Sequence, residues 1–390
     1  MQTALIVGGG LGGLAAGLAL QHAGWRVRVF ERAATPRELG FALNLAPNAM
    51  AALGELGVAD AIAAAGHRPH VVEFRAGGGR LLRRVDATTL PMEVKPVIAM
   101  RPVLHGTLLA ALEREALLLR SEAVEFEPAG EAIRVRLQDG RVEEGDVLVG
   151  ADGVGSAIRR QLHPHESAPR HSGYCALRGV VHGVDPMLAG LSGVAYFAVG
   201  IEAAVIRAGG DAAYWYVSLL RAEVAADAGH ARRLVRRVSA KLDATFARIA
   251  DATRDDDLRY DELYDRDPIA PWGTGRVTLL GDAAHPMLPH TGQGAAQALE
   301  DAVNLKFAMM GDPDVPSALR RYEDVRAART SRLIRMGRRI PRITTTRNRA
   351  IGLLRDLAIR AVPQSAILAA YQAGGVDEGA QRLRSRLPQR

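Results

Sequence analysis

Cysteine is almost absent. Cys175 stands alone, so no intrachain disulfide and no thiolate zinc site can form, thiol redox chemistry is excluded, and the residue reads as a small buried core side chain. Lysine is nearly as scarce: Lys95, Lys241 and Lys306 are the only three, so the net charge of +7 and the pI near 9.9 are carried by arginine. Those arginines read as spread over helical stretches beside acidic residues, with no interleaved aromatics and no binding motif. That argues for a solvated basic surface and against a nucleic-acid role. Long apolar runs are missing too, and nothing reaches the length of a bilayer span. The apolar start, residues 1–20, lacks a basic n-region and is interrupted by five glycines between Gly8 and Gly13, unlike a secretory signal. The expected location is the cytoplasm, with no transmembrane segment and no metal site.

What the chain does have is short apolar runs that end in glycine. Residues 276–310 concentrate them. The run 277–280 reads as a buried strand ended by Gly281, which delivers Asp282 to its carboxyl end. Gly292, Gln293 and Gly294 then open a long alanine-rich helix whose first amides lack intrahelical partners and whose dipole favours negative charge. A carboxylate and a helix N-terminus so close together suit a ligand that offers hydroxyls on one side and develops anionic charge on the other.

The N-terminal stretch carries a second signal. Residues 3–7 form an apolar run that meets Gly8, Gly9, Gly10, Gly12 and Gly13, a helical pattern follows, and residues 27–30 read as the next strand. Glu31 ends that strand 18 residues after Gly13. In this context the glycines let backbone approach a pyrophosphate, and the Glu31 carboxylate can accept the hydroxyls of an unphosphorylated adenosine ribose. FAD or NAD fits; NADP is disfavoured.

Between these motifs, residues 40–45 read as a ligand-side loop and Pro47-Asn48 as a helix start. Residues 71–74 and 80–85 flank Gly77 to Gly79 as a hairpin. Arg101 opens a helix, where it either neutralises a phosphate or ribityl oxygen or caps its own loop. Residues 124–126, 132–137 and 141–143 form a small antiparallel ribbon, and residues 146–149 return to the core and end at Asp152-Gly153. From 173 to 220 the texture becomes alternating and aromatic, which predicts an antiparallel sheet. A face of it bearing Tyr196, Arg207, Tyr214 and Tyr216 is a candidate substrate wall. Residues 231–251 read as one amphipathic helix covering that sheet. Helical pattern resumes at Leu319, with breaks expected at Pro341 and Pro363.

Taken in order, Gly8 to Gly13 with Glu31, then Asp152-Gly153, then Gly281-Asp282 with His285-Pro286 and the 292–294 turn resemble the class A flavoprotein monooxygenases, the p-hydroxybenzoate and salicylate hydroxylase group. The resemblance covers nearly the whole chain, from Thr3 to about Arg329. It implies an α/β fold with a Rossmann-like (GR2-type) FAD-binding domain interleaved with a mixed or antiparallel β-sheet substrate domain and followed by C-terminal helices. The expected division is 1–70, 97–170 and 270–315 for FAD, 71–96 and 171–269 for substrate, and 316–390 for the helical region.

By the same resemblance, Gly8, Gly10, Gly12 and Gly13 hold the ADP half of bound FAD, with Glu31 and Arg32 at its ribose. Arg101 lies near the phosphates, Val124 beside adenine through its backbone, and Asp152 serves FAD and a transient NADH or NADPH. Asp282 takes the ribityl chain, and Gly292, Gly294 and Ala295 form an anion-stabilising helix terminus at the flavin pyrimidine. The implied cycle is reduction of FAD by NAD(P)H, addition of O₂ to give a C4a-hydroperoxyflavin, and oxygen transfer to a small aromatic, heteroaromatic or polyketide-like ring in a site that excludes water. A related epoxidase, an antibiotic-modifying hydroxylase and an oxygen-independent reductase are the alternatives. His290, whose ordinary pKa near 6.5 suits a base, is the candidate catalytic group, or else it only hydrogen-bonds its turn. Tyr216 and Arg207 are candidates for orienting substrate. A monomer or homodimer is expected.

Overall fold

The computed structural model describes residues 1–36, 41–89, 92–224, 231–363, 366, 378–385 and 387. A five-stranded parallel sheet forms the first core, in the order Val277–Leu279, Val147–Gly150, Thr3–Val7, Arg26–Phe30, Leu117–Leu118. Parallel strands are covered on both faces, which is why the central segments are largely apolar, while Arg26–Phe30 nearer the edge carries Arg26 and Arg28. Leu5, Val149 and Leu279 are wholly buried. Helices Leu11–His22 and Gly294–Gly311 pack on each other beside it, so closely that a Cβ on Gly12 would stand 3.5 Å from that of Ala298.

The second core is a seven-stranded sheet in the order Leu258–Asp265, Arg170–Val181, Ala213–Leu220, Ile201–Arg207, Gly193–Ala198, Val71–Ala76, Leu81–Asp86. Its pairs are antiparallel except Gly193–Ala198 with Val71–Ala76. A β-strand points successive side chains to opposite faces. Cys175, Leu177, Trp215, Val217 and Leu219 accordingly face helices Ala231–Ser239 and Ala244–Ala252, in one cluster with Leu234 and Phe246. The other parity turns toward the first core. Burial pushes the Cys175 thiol up to about 11, so it stays protonated in that apolar layer.

The expected ribbon is present as the antiparallel strands Val142–Gly145, Ala132–Leu137 and Ala123–Ala129. Other expectations are corrected. The ligand-side loop is largely a strand: Ala42–Leu45 pairs antiparallel with Val97–Met100, while Gly40 lies outside the described residues. The single helix expected over 231–251 is two, because Asp243 caps the second by accepting from the Phe246 amide at 2.9 Å. Pro341 does not break its helix. Val315–Thr344 runs through it for 30 residues, the proline falling in the last turn, where little helix remains to be disrupted. Helix Arg349–Ala361 follows, and Val362 and Pro363 come after its end.

Candidate active site

Close backbone contacts, the buried His105 and the half-buried Glu31 shape the glycine turn after Thr3–Val7. Gly8 has φ +108°, and a Cβ there would meet the Ala151 carbonyl oxygen at 2.4 Å; one on Gly13 would meet the Gly8 oxygen at 1.8 Å. Only glycine fits either place. The His105 ring bonds the Gly9 carbonyl, Nε2 to O, at 2.9 Å and pins the turn from below. Glu31 accepts the Gly9 amide at 2.8 Å with one oxygen and the Ala33 amide at 2.7 Å with the other. Each of those oxygens keeps acceptor capacity for a further donor. Arg32 beside it is exposed. Val124 is the extra residue of a β-bulge between Ala123 and Glu125, exposed and left out of the ladder register.

Asp152 accepts the Ala157 and Ile158 amides with Oδ2, at 2.7 and 3.3 Å, and so caps the short helix Ala157–Leu162. Its Oδ1 is buried without a partner. Burial raises its pKa, against the hydrogen bonds that lower it. Asp282 makes no hydrogen bond among the described residues. It is open to solvent, yet protein crowds it closely enough to lift its carboxyl above the ordinary range, against the pull of His285 and Arg101. Arg101 is therefore near Asp282, at the start of helix Arg101–Ala111, with its amide bonded to the Phe41 carbonyl at 2.9 Å.

The turn carrying Asp282 is held by a buried network. Asp301 accepts the Gly281 amide at 2.9 Å and meets the His285 ring at 2.6 Å with Oδ2, while Oδ1 takes Arg326 Nε at 2.7 Å. Arg326 also donates to Glu300 at 2.5 Å and to Gln297 Oε1 at 2.7 Å, and Asn48 donates to Glu300 at 2.6 Å. Arg159, 1% exposed, donates to the Ala283 and Ala284 carbonyls at 2.9 and 2.8 Å. No side chain caps helix Gly294–Gly311, and a Cβ on Gly292 or Gly294 would meet open space. Its first amides, those of Ala295 included, border that space.

These features fit FAD. A turn that only glycine allows suits the pyrophosphate, and a carboxylate without a partner among the described residues suits hydroxyls. The uncapped terminus of an 18-residue helix suits a group that gains negative charge.

The face of the seven-stranded sheet that turns toward the first core lies next to this terminus, where Ser218 meets His290. In register across three strands, Glu202 pairs with Ser218 and Ser218 with Ala176; Ala204 pairs with Tyr216 and Tyr216 with Arg178. Tyr214 stacks on Phe41 at 5.3 Å, and the Arg178 guanidinium lies 5.9 Å from the same ring. His290 Nε2 is 2.9 Å from Ser218 Oγ, its Nδ1 is buried without a partner, and Tyr174 sits edge-on to it at 5.6 Å. Tyr216 donates to Glu202 at 3.0 Å, and Thr344 donates to the other oxygen of the same carboxyl at 2.5 Å.

The structure thus brings His290 and Tyr216 to one wall. It does not bring Arg207 there. Arg207 pairs with Ala213, on the parity that faces the helices, and its guanidinium binds the Leu191 carbonyl at 2.8 Å and Asp185. Tyr196 is also on that side, bonded to Asp243 at 2.9 Å and edge-on to Phe246. The expectation of a His290 pKa near neutrality is not met either. Burial, with Arg178 adding to it, lowers His290 to about 4. Sequence reasoning missed Arg178 and Glu202, although each is a lone charge inside an apolar strand pattern. It also missed His105, Arg159, Asp301 and Arg326, whose roles depend on distant partners.

Comparison with known proteins agrees with this geometry. A family model described as an FAD binding domain matches residues 1–336. The chain is 34% identical over 366 residues to an aurachin C monooxygenase/isomerase of Stigmatella aurantiaca, covering 92% of this chain and 94% of that protein. It is 33% identical over 362 residues to a 3-amino-4-hydroxybenzoate 2-monooxygenase of Streptomyces cremeus, covering 86% of each. Among solved structures, Klebsiella pneumoniae HpxO complexed with FAD and uric acid superposes with a TM-score of 0.89 at 25% identity, over 96% of this chain and 97% of that one.

Proposed function

The chain belongs to the FAD-dependent aromatic monooxygenases, and within that family we propose that it hydroxylates a small planar ring bearing an acidic hydroxyl or carboxylate, held against Arg178, Tyr214, Tyr216 and His290. The observation that carries the reading is the meeting of an uncapped helix N-terminus with a sheet face that is aromatic, partly polar and equipped with one inward cation. Bound FAD supplies the redox chemistry, taking electrons from NADH or NADPH and activating dioxygen.

The chain's residues hold the cofactor and handle protons. Gly8, Gly10, Gly12 and Gly13 let backbone reach the pyrophosphate, Glu31 and Arg32 lie at the adenosine ribose, and the exposed Val124 backbone serves adenine. Arg101 takes phosphate oxygens, Asp152 serves FAD and the transient NADH or NADPH, and Asp282 takes ribityl hydroxyls. The amides after Gly292 and Gly294, that of Ala295 among them, stabilise negative charge on the reduced ring.

Arg178, partly neutralised by Asp261 at 3.3 Å, draws an anionic substituent to the aromatic wall. A substrate hydroxyl gives its proton to Tyr216 Oη as the Tyr216 proton passes to Glu202. Burial raises the Glu202 carboxyl, against the hydrogen bonds of Thr344 and Tyr216, and so makes it a better proton acceptor than an ordinary carboxylate. His290 stays neutral and orients the ring through its hydrogen bonds. Arg207, engaged elsewhere, serves the sheet and not the substrate. The proposal keeps 1–70, 97–170 and 270–315 as the FAD-binding part, 71–96 and 171–269 as the substrate part and 316–390 as the helical region, with the enzyme in the cytoplasm.

The test is oxidation of NADH and NADPH by the FAD-loaded protein over a panel of phenols, aromatic acids and heteroaromatic hydroxy compounds, with peroxide quantified alongside. Stimulation by ring acids with little peroxide is expected, and R178Q should raise KM for those acids most. Equal stimulation by neutral hydrocarbons would overturn the assignment of Arg178.

A further inference from the structure

Between Asp324 and Asp356 the chain has ten arginines and no aspartate or glutamate. This stretch departs from the mixed charge expected of the arginine-bearing helices. It spans the end of helix Val315–Thr344 and the start of helix Arg349–Ala361, and the chemistry above uses Thr344 there but none of the exposed arginines.

Helix Arg349–Ala361 is inside out. Its charged side faces the protein: Asp356 is buried, accepting from Arg355 at 2.8 Å and from Arg80 at 3.0 Å. Arg355 also donates to the Thr344 carbonyl at 2.9 Å and lies 5.3 Å from the Phe197 ring. Its apolar side faces water, with Leu353 58%, Leu354 66% and Leu357 48% exposed and Ile351 close by. Single exposed leucines are ordinary, but three within two turns on the outer face mark an interaction surface.

Charge chooses the partner. Arg349 and Arg360 stand at the two ends of this helix, and Arg332, Arg335, Arg339 and Arg342 lie exposed on the preceding one, with Met336 and Ile343 among them. Those six arginines make no ion pair among the described residues. A second copy of the chain would set one arginine face against another. A nucleic acid would use the arginines and leave the leucines in water. An anionic bilayer uses both, with leucines at the acyl boundary and guanidinium groups at lipid phosphates. No described helix is long and apolar enough to cross a membrane, so the helix would lie on the surface.

We propose that helix Arg349–Ala361 and the arginine face before it dock the enzyme on an anionic lipid surface. The FAD-loaded protein is sedimented with vesicles of phosphatidylcholine alone or with about 30% phosphatidylglycerol. The bound fraction is expected to rise about tenfold with the anionic lipid and to fall about as much in a Leu353→Ser, Leu354→Ser, Leu357→Ser variant and in an R339Q/R342Q/R349Q variant. Both variants should keep wild-type flavin content, because the altered side chains point away from the protein. Any of these results would overturn the proposal: no binding to anionic vesicles; full binding by the leucine variant; or a dimer in size-exclusion chromatography that the leucine variant turns into monomer, which would assign the face to a second copy. Duplex DNA that binds the leucine variant unchanged and displaces vesicles would also overturn it.

Discussion

Ser218 Oγ and His290 Nε2 stand 2.9 Å apart, and this hydrogen bond joins the seven-stranded sheet to the turn that precedes helix Gly294–Gly311. It links two segments 72 residues apart in sequence. Each side chain thereby fixes the other's place at the proposed reaction site.

Because burial and Arg178 hold His290 at about 4, the ring is neutral throughout pH 6–9. His290→Ala should lower hydroxylation about tenfold, a lost hydrogen bond's worth, with a pH profile parallel to wild type in that range. A wild-type ionisation near 6.5 that vanishes in the variant would show that His290 titrates during turnover after all.

The Tyr216–Glu202 pair should supply the pH dependence instead. With the Glu202 carboxyl raised by burial, activity should climb with pH through an ionisation above the ordinary carboxylate range. Glu202→Gln should flatten that limb while leaving flavin content unchanged. The Thr344 hydroxyl lowers the Glu202 pKa, so Thr344→Val should move the limb to higher pH. If the Gln variant keeps the wild-type profile, proton transfer runs elsewhere.

Asp282 makes no hydrogen bond among the described residues, so its removal should spare the fold. Asp282→Ala is expected to weaken FAD binding by roughly ten- to a hundredfold, the scale of one charge-assisted hydrogen bond. Flavin fluorescence titration measures this, and circular dichroism checks the fold. Full occupancy at wild-type affinity would remove Asp282 from the cofactor site.

Asp301 is a matter of stability. Burial alone would raise it, but His285, Arg326 and the Gly281 amide hold it at about 2. Its folded value lies below the unfolded one of about 3.9, so its contribution is complete above about pH 4 and is lost as pH falls through about 2. Asp301→Asn should cost about 3 kcal/mol at neutral pH by breaking a buried pair. In denaturant titrations the gap to wild type should narrow below about pH 4. A constant gap down to pH 3 would assign the loss to packing.

Much of this arrangement could be read before the structure. The central parallel strands are legible because burial on both faces leaves apolar runs, and Gly8, Gly13 and Glu31 because the strand, turn and helix around them have fixed spacing. Asp282 is legible from the run that ends at Gly281. The failures share one cause. Tyr214 and Tyr216 share a face by parity within one strand, but Arg207 sits on the neighbouring strand, where the face depends on how residues 208–212 turn. His290 has an ordinary pKa in sequence and a depressed one only because Arg178, 112 positions away, and the surrounding protein crowd it. Pro341 ends a helix by local rule, yet tertiary packing carries the last turn past it.

Trp215 and Tyr216 are consecutive, and one is sealed under helix Ala244–Ala252 while the other faces the proposed substrate. The strand is therefore a partition between two kinds of selection. Changes at Tyr174, Arg178, Tyr214, Tyr216 and Ser218 can redraw what the enzyme accepts while Cys175, Leu177, Trp215 and Val217 go on holding the sheet to its helices. A library confined to the first set would explore chemistry at nearly constant foldability, whereas a shift of one residue in strand register would exchange the two sets and forfeit both.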